Sequence, residues 1–224
     1  MRKIIAALTM GLVLTATPVL ASPTAVFEQG AIILELGSTL NSKVKGQGSF
    51  NVEADGDFGY KYSITTGLSD KFALQYKQGY FRSETKTILV PGKGSLTTYA
   101  KSEPMDINLL YKVNPTISLL AGYEHSKISY GNYVAAASHS TFHVGLTATH
   151  KLDDRATLFA TAVRGSGASL NEAGISYKLS AASAFTVSYA ERKVKDVDLK
   201  ILTAPTQKAD YTMTGITCMF GTRL

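Results

Sequence analysis

A single cysteine, Cys218, in 224 residues excludes an intramolecular disulfide framework and any zinc site of the all-cysteine type. The stability of an exported form must therefore come from its sheet. After residue 25 no apolar stretch reaches the roughly twenty residues that cross a bilayer as a helix. Charge of one dominant sign is missing too. With Arg2 and Lys3 set aside, 21 basic residues stand against 17 acidic ones, an excess of about +4 spread along the chain that points to no nucleic-acid partner. His125, His139 and His150 lack metal-ligand spacing with carboxylates or with one another, so no metal and no cofactor is expected. The mean hydropathy lies near zero. A helical membrane protein would not show this, whereas a barrel that alternates apolar and polar residues must.

Residues 1–21 read as a secretory signal. Arg2-Lys3 gives the charged start, Ile4 through Leu14 the apolar stretch, and Val19-Leu20-Ala21 a small-residue cleavage motif, so the exported chain is expected to begin near Ser22. Residues 22–224 then form one domain with no linker and no change of composition.

From Asp57 onward the chain repeats an alternating run, a tight turn, another alternating run and a longer polar excursion. Three tight turns are entered by a ring, a lysine and an aliphatic residue: Tyr111-Lys112-Val113, His150-Lys151-Leu152 and Tyr177-Lys178-Leu179. Thr66-Gly67-Leu68 is a weaker fourth copy. Short connectors at one end and long ones at the other suit an up-and-down barrel with two unlike surroundings.

The clearest hairpin sets Phe58, Tyr60, Tyr62, Ile64 and Leu68 opposite Gly59, Lys61, Ser63 and Thr65, then turns at Ser69-Asp70 into Phe72, Leu74 and Tyr76 opposite Ala73, Gln75 and Lys77. Further runs begin at Ala31, Met105, Ile117, Phe142, Ala156, Leu170, Phe185 and Tyr211. The pattern predicts an all-β, closed antiparallel barrel of ten strands. Eight is the alternative, if Gly165-Ser166-Gly167 falls inside one strand or the first run is lost. The run Ala156 to Arg164 is apolar on both faces and has no assignable orientation.

A soluble ligand-binding barrel uses the same period with the opposite sense. Four features favour lipid outside. The runs are nine to eleven residues long, as a tilted membrane-crossing strand requires. Phe72, Tyr111, Tyr177 and Phe185 sit beside the short turns, while Tyr60, Tyr80, Tyr123 and Tyr189 sit towards the long connections, giving two aromatic girdles. The polar face mixes small residues with charges of both signs, a set that can fill a narrow interior: Glu35, Lys61, Gln75, Lys77, Asp106, Lys112, Glu124, His143, Glu172 and Lys178. Finally, a closed barrel satisfies every backbone group in lipid.

The chain resembles the small outer-membrane β-barrel proteins, the broad family that includes the transmembrane domain of outer-membrane protein A and the opacity-type adhesins. The hairpin from Tyr62 to Tyr76 carries the likeness best and is similar to barrels from Firmicutes that possess an outer membrane. The resemblance implies that the last strand is an assembly signal for the barrel-assembly machinery, with Gly215, Cys218 and Phe220 in the corresponding places. It also implies outer-membrane lipid as the surroundings.

Long excursions are expected at Lys43 to Asp57, Arg82 to Glu103, Ser129 to Ser140 and Lys193 to Asp210. Their apolar clusters, Ile88-Leu89-Val90 and Leu199 to Leu202, read either as contact tips or as strands extended beyond the membrane. Pairing of neighbouring runs brings Glu124 near His143, a carboxylate beside an imidazole that can act as a general base, yet no nucleophile or third partner completes a catalytic set. About ten strands leave a lumen little wider than its own side chains. The expectation is a non-enzymatic outer-membrane barrel serving envelope integrity or surface interaction. The alternatives are a narrow porin-like channel for small solutes and an outer-membrane hydrolase or acyltransferase.

Overall fold

The computed structural model describes residues 27–47, 52–90, 94–131, 134–201 and 207–224. The expected signal segment lies outside them. The described residues form twelve strands: β1 (Ile32–Gln47), β2 (Val52–Gly67), β3 (Phe72–Ser83), β4 (Lys86–Val90), β5 (Gly94–Thr98), β6 (Ala100–Lys112), β7 (Ile117–Tyr130), β8 (Val134–Lys151), β9 (Ala156–Gly165), β10 (Ala168–Lys178), β11 (Ser183–Ile201) and β12 (Gln207–Arg223). Ten of them close an antiparallel barrel in sequence order, and β4 and β5 form a separate hairpin between β3 and β6.

The four short turns share one construction. In each, the amide of an aliphatic residue donates to the carbonyl four positions on: Leu68 to Phe72, Val113 to Ile117, Leu152 to Ala156, and Leu179 to Ser183. The next residue, Ser69, Asn114, Asp153 or Ser180, turns its side-chain oxygen back onto the amides two and three positions ahead. Such side chains substitute for backbone acceptors and fix the reversal. Register follows from these turns, and with it the face each side chain takes.

Alternation sends the apolar set outward. Leu36, Ile64, Leu74, Leu109, Leu119, Val144, Leu146, Ile175 and Ile216 are all exposed on the outer wall, with Phe72, Tyr111, Tyr177 and Phe185 beside the short turns. In water so much contiguous apolar surface would drive association; in hydrocarbon it is the expected covering. On β9, Thr157, Phe159, Thr161 and Val163 face inward and Leu158 and Ala160 outward, which settles the orientation that the sequence leaves open.

The expected long excursions are mostly strand. β1 runs on to Gln47 and β2 begins at Val52, β7 and β8 pair almost to their tips, and β11 continues to Ile201. These stretches escape the sequence pattern because their sense is reversed, with polar residues outward and Val44, Ile128, Val194 and Val197 inward. Left-handed Asn41 (φ 45°) and Asp196 (φ 54°) mark bulges in β1 and β11, where a short polar side chain tolerates that backbone.

The strand count changes along the barrel. β9 and β10 stop at Gly165 and Ala168, joined by a turn with Gly167 at φ 74°. Beyond them β8 and β11 continue and pair directly, Ala135 with Lys200 and Val134 with Ile201. The wall therefore has ten strands through the apolar belt and eight beyond it. Gly165-Ser166-Gly167 is the joint where the two counts meet.

Candidate functional site: a charged clamp inside the barrel

Side chains of the inner face are tied along the rows in which strands pair. Thr65, Gln75, Asn108, Gly122 and His143 occupy one such row on β2, β3, β6, β7 and β8. Gln75 donates to Thr65 at 3.1 Å, Asn108 donates to Gln75 at 3.4 Å, and Asn108 Oδ1 meets His143 Nε2 at 2.6 Å. The last bond skips a whole strand. It is possible because Gly122 has no side chain: a Cβ there would lie 2.4 Å from Asn108 Oδ1 and 2.8 Å from His143 Nε2.

The adjacent row carries the charges: Glu35, Ser63, Lys77, Asp106 and Glu124. Ser63 donates to Glu35, and Ser126 donates to Glu124 at 2.7 Å. From the opposite wall Arg192 on β11 reaches into this row. Its guanidinium lies 2.7 Å from Asp106 Oδ2 and 2.7 Å from Glu124 Oε1, a fork suited to two carboxylates at once. A second tie crosses nearby, where Lys61 on β2 meets Glu172 on β10 at 3.1 Å and Ser188 donates to the same carboxylate at 2.8 Å. Burying ions so deeply is costly unless they find partners; Arg192, Asp106, Glu124, Lys61 and Glu172 do, whereas Lys77 in the same row has no carboxylate within 4.0 Å among the described residues.

Of the residues that the sequence assigns to the lumen, Glu35, Gln75, Asp106, Glu124, His143 and Glu172 are buried inside, and Lys61 and Lys77 border a cavity of about 110 Å³ together with Arg192, Thr39 and Thr217. Lys112 sits at the mouth, its Nζ 5.8 Å from the ring of Phe27. Lys178 is partly exposed near the short-turn end. At the proposed assembly signal, Gly215 faces inward, while Cys218 and Phe220 face outward and are partly exposed.

Sequence reasoning missed Arg192 and Phe27, and it sets Asn108 on the polar face with Asp106 and Lys112 without giving it a role. Arg192 continues the inward parity of Thr186, Ser188 and Ala190, so its position was available from β11 once that strand is allowed to run past Tyr189. Phe27 precedes β1 and packs against the inner apolar residues Ala73, Leu110, Leu120 and Val163. Glu28 beside it pairs with Arg223 at 2.8 Å. At the other end a second apolar group, Ile128, Ala137, Val194, Val197, Ala209 and Tyr211, fills the eight-stranded section.

Asp106, Glu124 and His143 place one ligand atom each within 4.8 Å of one another, the geometry of a metal or general-base cluster. Arg192 already occupies both carboxylates and Asn108 takes one nitrogen of the imidazole. The arrangement is that of a closed electrostatic clamp. One cation thus holds both carboxylates of the cluster.

No family model matches this chain, and no curated protein matches it in sequence. Among solved structures it is similar in fold to the outer membrane protease OmpT from Escherichia coli, with a TM-score of 0.57 at 11% identity over 91% of this chain and 99% of that one. It also aligns with Ail, the attachment invasion locus protein of Yersinia pestis, at a TM-score of 0.42 and 10% identity over 88% and 99% of the two chains. A third alignment is with the outer membrane protein OprG from Pseudomonas aeruginosa, at 0.37 and 10% identity over 88% and 97%. The likeness to OmpT is one of fold, a closed antiparallel β-barrel.

Proposed function

We propose that this chain, which has the fold of the small outer-membrane β-barrels, is exported through a cleaved signal near Ala21, assembles in an outer membrane and acts there as a filled, non-enzymatic barrel. It serves envelope integrity or surface contact through the sheet that projects beyond the apolar belt. The observation that carries this reading is Arg192 bound between Asp106 and Glu124, with Lys61 bound to Glu172 beside it. Ion pairs between opposite walls brace the barrel and occupy the space a solute would need. The partner-facing parts would be the β4–β5 hairpin and the ends of β1, β2, β7, β8, β11 and β12. The last strand, through Gly215, Cys218 and Phe220, would be read by the barrel-assembly machinery.

Two measurements test the reading together. Refolded protein in planar bilayers is expected to give no discrete conductance steps. Deletion of the gene in its host is expected to raise sensitivity to detergents, with a His143→Ala copy restoring resistance as well as the parent does. A stable unit conductance would favour a narrow channel instead. A proteolytic or lipid-modifying activity lost in His143→Ala would favour an enzyme built on Glu124 and His143.

A further inference from the structure

The outer wall holds its cations in two different ways. At three places on the projecting sheet a lysine stands against an acid: Lys45 with Glu53 at 3.2 Å, Lys193 with Glu191 at 2.9 Å, and Lys208 with Asp196 at 3.6 Å. On β3, β6 and β7 this compensation fails. Arg82 and Lys101 are direct neighbours in register, and Lys127 pairs in register with Glu103, two residues from Lys101. Lys101 binds Glu103 at 2.7 Å. Among the described residues neither Arg82 nor Lys127 has a carboxylate within 4.0 Å. The guanidinium of Arg82 lies 4.3 Å over the ring of Tyr99, and its Nε is shielded from water without an acceptor. Three cations on adjacent strands thus share one carboxylate.

The residues next to them on the membrane side are aromatic. Tyr60 and Tyr80 stack at 5.2 Å with 5° between their planes, and Phe58 leans against both at 6.0 and 6.3 Å. Lys101 Nζ stands 5.3 Å from the Tyr80 ring, and on β7 and β8 Tyr123 meets Phe142 at 5.5 Å. Tyrosines with one apolar and one wet end settle at headgroup depth. Arg82, two residues beyond Tyr80 on β3, and Lys101, its partner in register on β6, then lie at the level of lipid phosphates, with Lys127 four residues beyond Tyr123 on β7. The guanidinium of Arg82, with Lys101 beside it in register and Lys127 on the next strand, suits a phosphate, which accepts bonds from arginine and point charge from lysine.

We infer that Arg82, Lys101 and Lys127 form a docking site for the phosphate of a lipid in the surrounding leaflet, with its acyl part against Phe58, Tyr60 and Tyr80. This rests on the reading that the barrel crosses a membrane with this end outward. The unmatched charge selects a phosphorylated headgroup over a neutral one, and the aromatic platform selects a lipid over a free anion.

Native mass spectrometry of the folded full-length protein, titrated with diphosphoryl lipid A or with the same glycolipid lacking phosphates, tests the site. The parent is expected to retain the phosphorylated lipid preferentially. An Arg82→Gln/Lys127→Gln variant should bind it at least about tenfold more weakly, as loss of charge-assisted hydrogen bonds implies, while Lys45→Gln changes nothing. A heat-modifiability gel verifies that each variant is folded. Equal retention of the two lipids, unchanged binding by the double variant, or displacement of the lipid by millimolar inorganic phosphate would each overturn the site. Parent protein that fails to enter vesicles contradicts the membrane reading as well, whereas parent protein that enters them and holds both lipids equally contradicts the docking site alone.

Discussion

Lys61 and Glu172 are 111 residues apart in sequence, yet the lysine of β2 meets the carboxylate of β10 at 3.1 Å across the lumen. The contact exists only when the sheet has closed. A double-mutant cycle with Lys61→Met and Glu172→Gln should therefore show coupling of about 0.5–3 kcal/mol, read from urea unfolding in lipid vesicles. Additive effects would mean that the two side chains do not depend on each other.

Arg192 binds two buried carboxylates at once, so its removal takes the bound cation from both. Arg192→Met is expected to cost about 3–5 kcal/mol in the same unfolding assay. Adding Asp106→Asn and Glu124→Gln should recover most of that loss, since neutral amides need no counter-charge. A triple variant no more stable than the single one would show that packing of the arginine stem, and not charge, dominates.

Gly122 makes room for the bond between Asn108 and His143. In Gly122→Ala the new Cβ would stand 2.3 Å from the carbonyl oxygen of Ile107 as well as against both side chains. Backbone cannot yield as a flexible side chain can, and overpacking of about 1–3 kcal/mol should follow. Gly59→Ala, whose nearest neighbours lie at 3.1 and 3.3 Å, should cost less. The measurement is the urea midpoint of the two variants side by side.

The belt of the barrel was legible because period two and turn chemistry act locally. Strands such as Phe58 to Leu68 declare one apolar face, and the turns at Ser69, Asn114 and Asp153 stop them at fixed places; the fourth, read as Ala181 to Ser183, is capped one residue earlier by Ser180. What lay beyond the belt was not legible in the same way. In Lys43 to Gln47 or Lys193 to Asp198 the sense of the belt reverses, with lysines outward and Val44, Val194 and Val197 inward, and the bulges at Asn41 and Asp196 break the parity, so projecting sheet resembles loop. β9 failed for the opposite reason, since Phe159 and Val163 fill the lumen with apolar bulk beside the lipid-facing Leu158. Most members of the clamp could be placed by parity, but their partners could not. Which lysine meets which carboxylate across a closed barrel depends on stagger between distant strands, and no local pattern encodes that.

Asp153 gives the short-turn end a pH dependence of definite sign. The amides of Arg155 and Ala156 donate to its carboxylate at 2.6 Å each and hold its pKa below the usual aspartate value. Between that lowered value and the unfolded value of about 3.9 the unfolded chain binds a proton that the folded turn does not, so stability rises with pH there. The contribution is complete above the unfolded value and disappears as pH falls through the folded one. The stability gap between the parent and Asp153→Ala should be present near neutrality and vanish in strong acid, while Asp153→Asn should behave independently of pH. A gap that stays constant across the acid range would contradict this.

The sense of the barrel is tested most directly by single cysteines placed in a Cys218→Ser background and challenged with a lipid-phase thiol reagent in vesicles. Positions 60, 109, 144 and 175 carry the exposed Tyr60, Leu109, Val144 and Ile175 of the outer wall, whereas Lys61, Asp106, Gly145 and Glu172 occupy the inner one. Labelling of the first four positions with protection of the second four is the predicted result. Labelling of the inner set with protection of the outer would contradict a lipid-facing apolar wall.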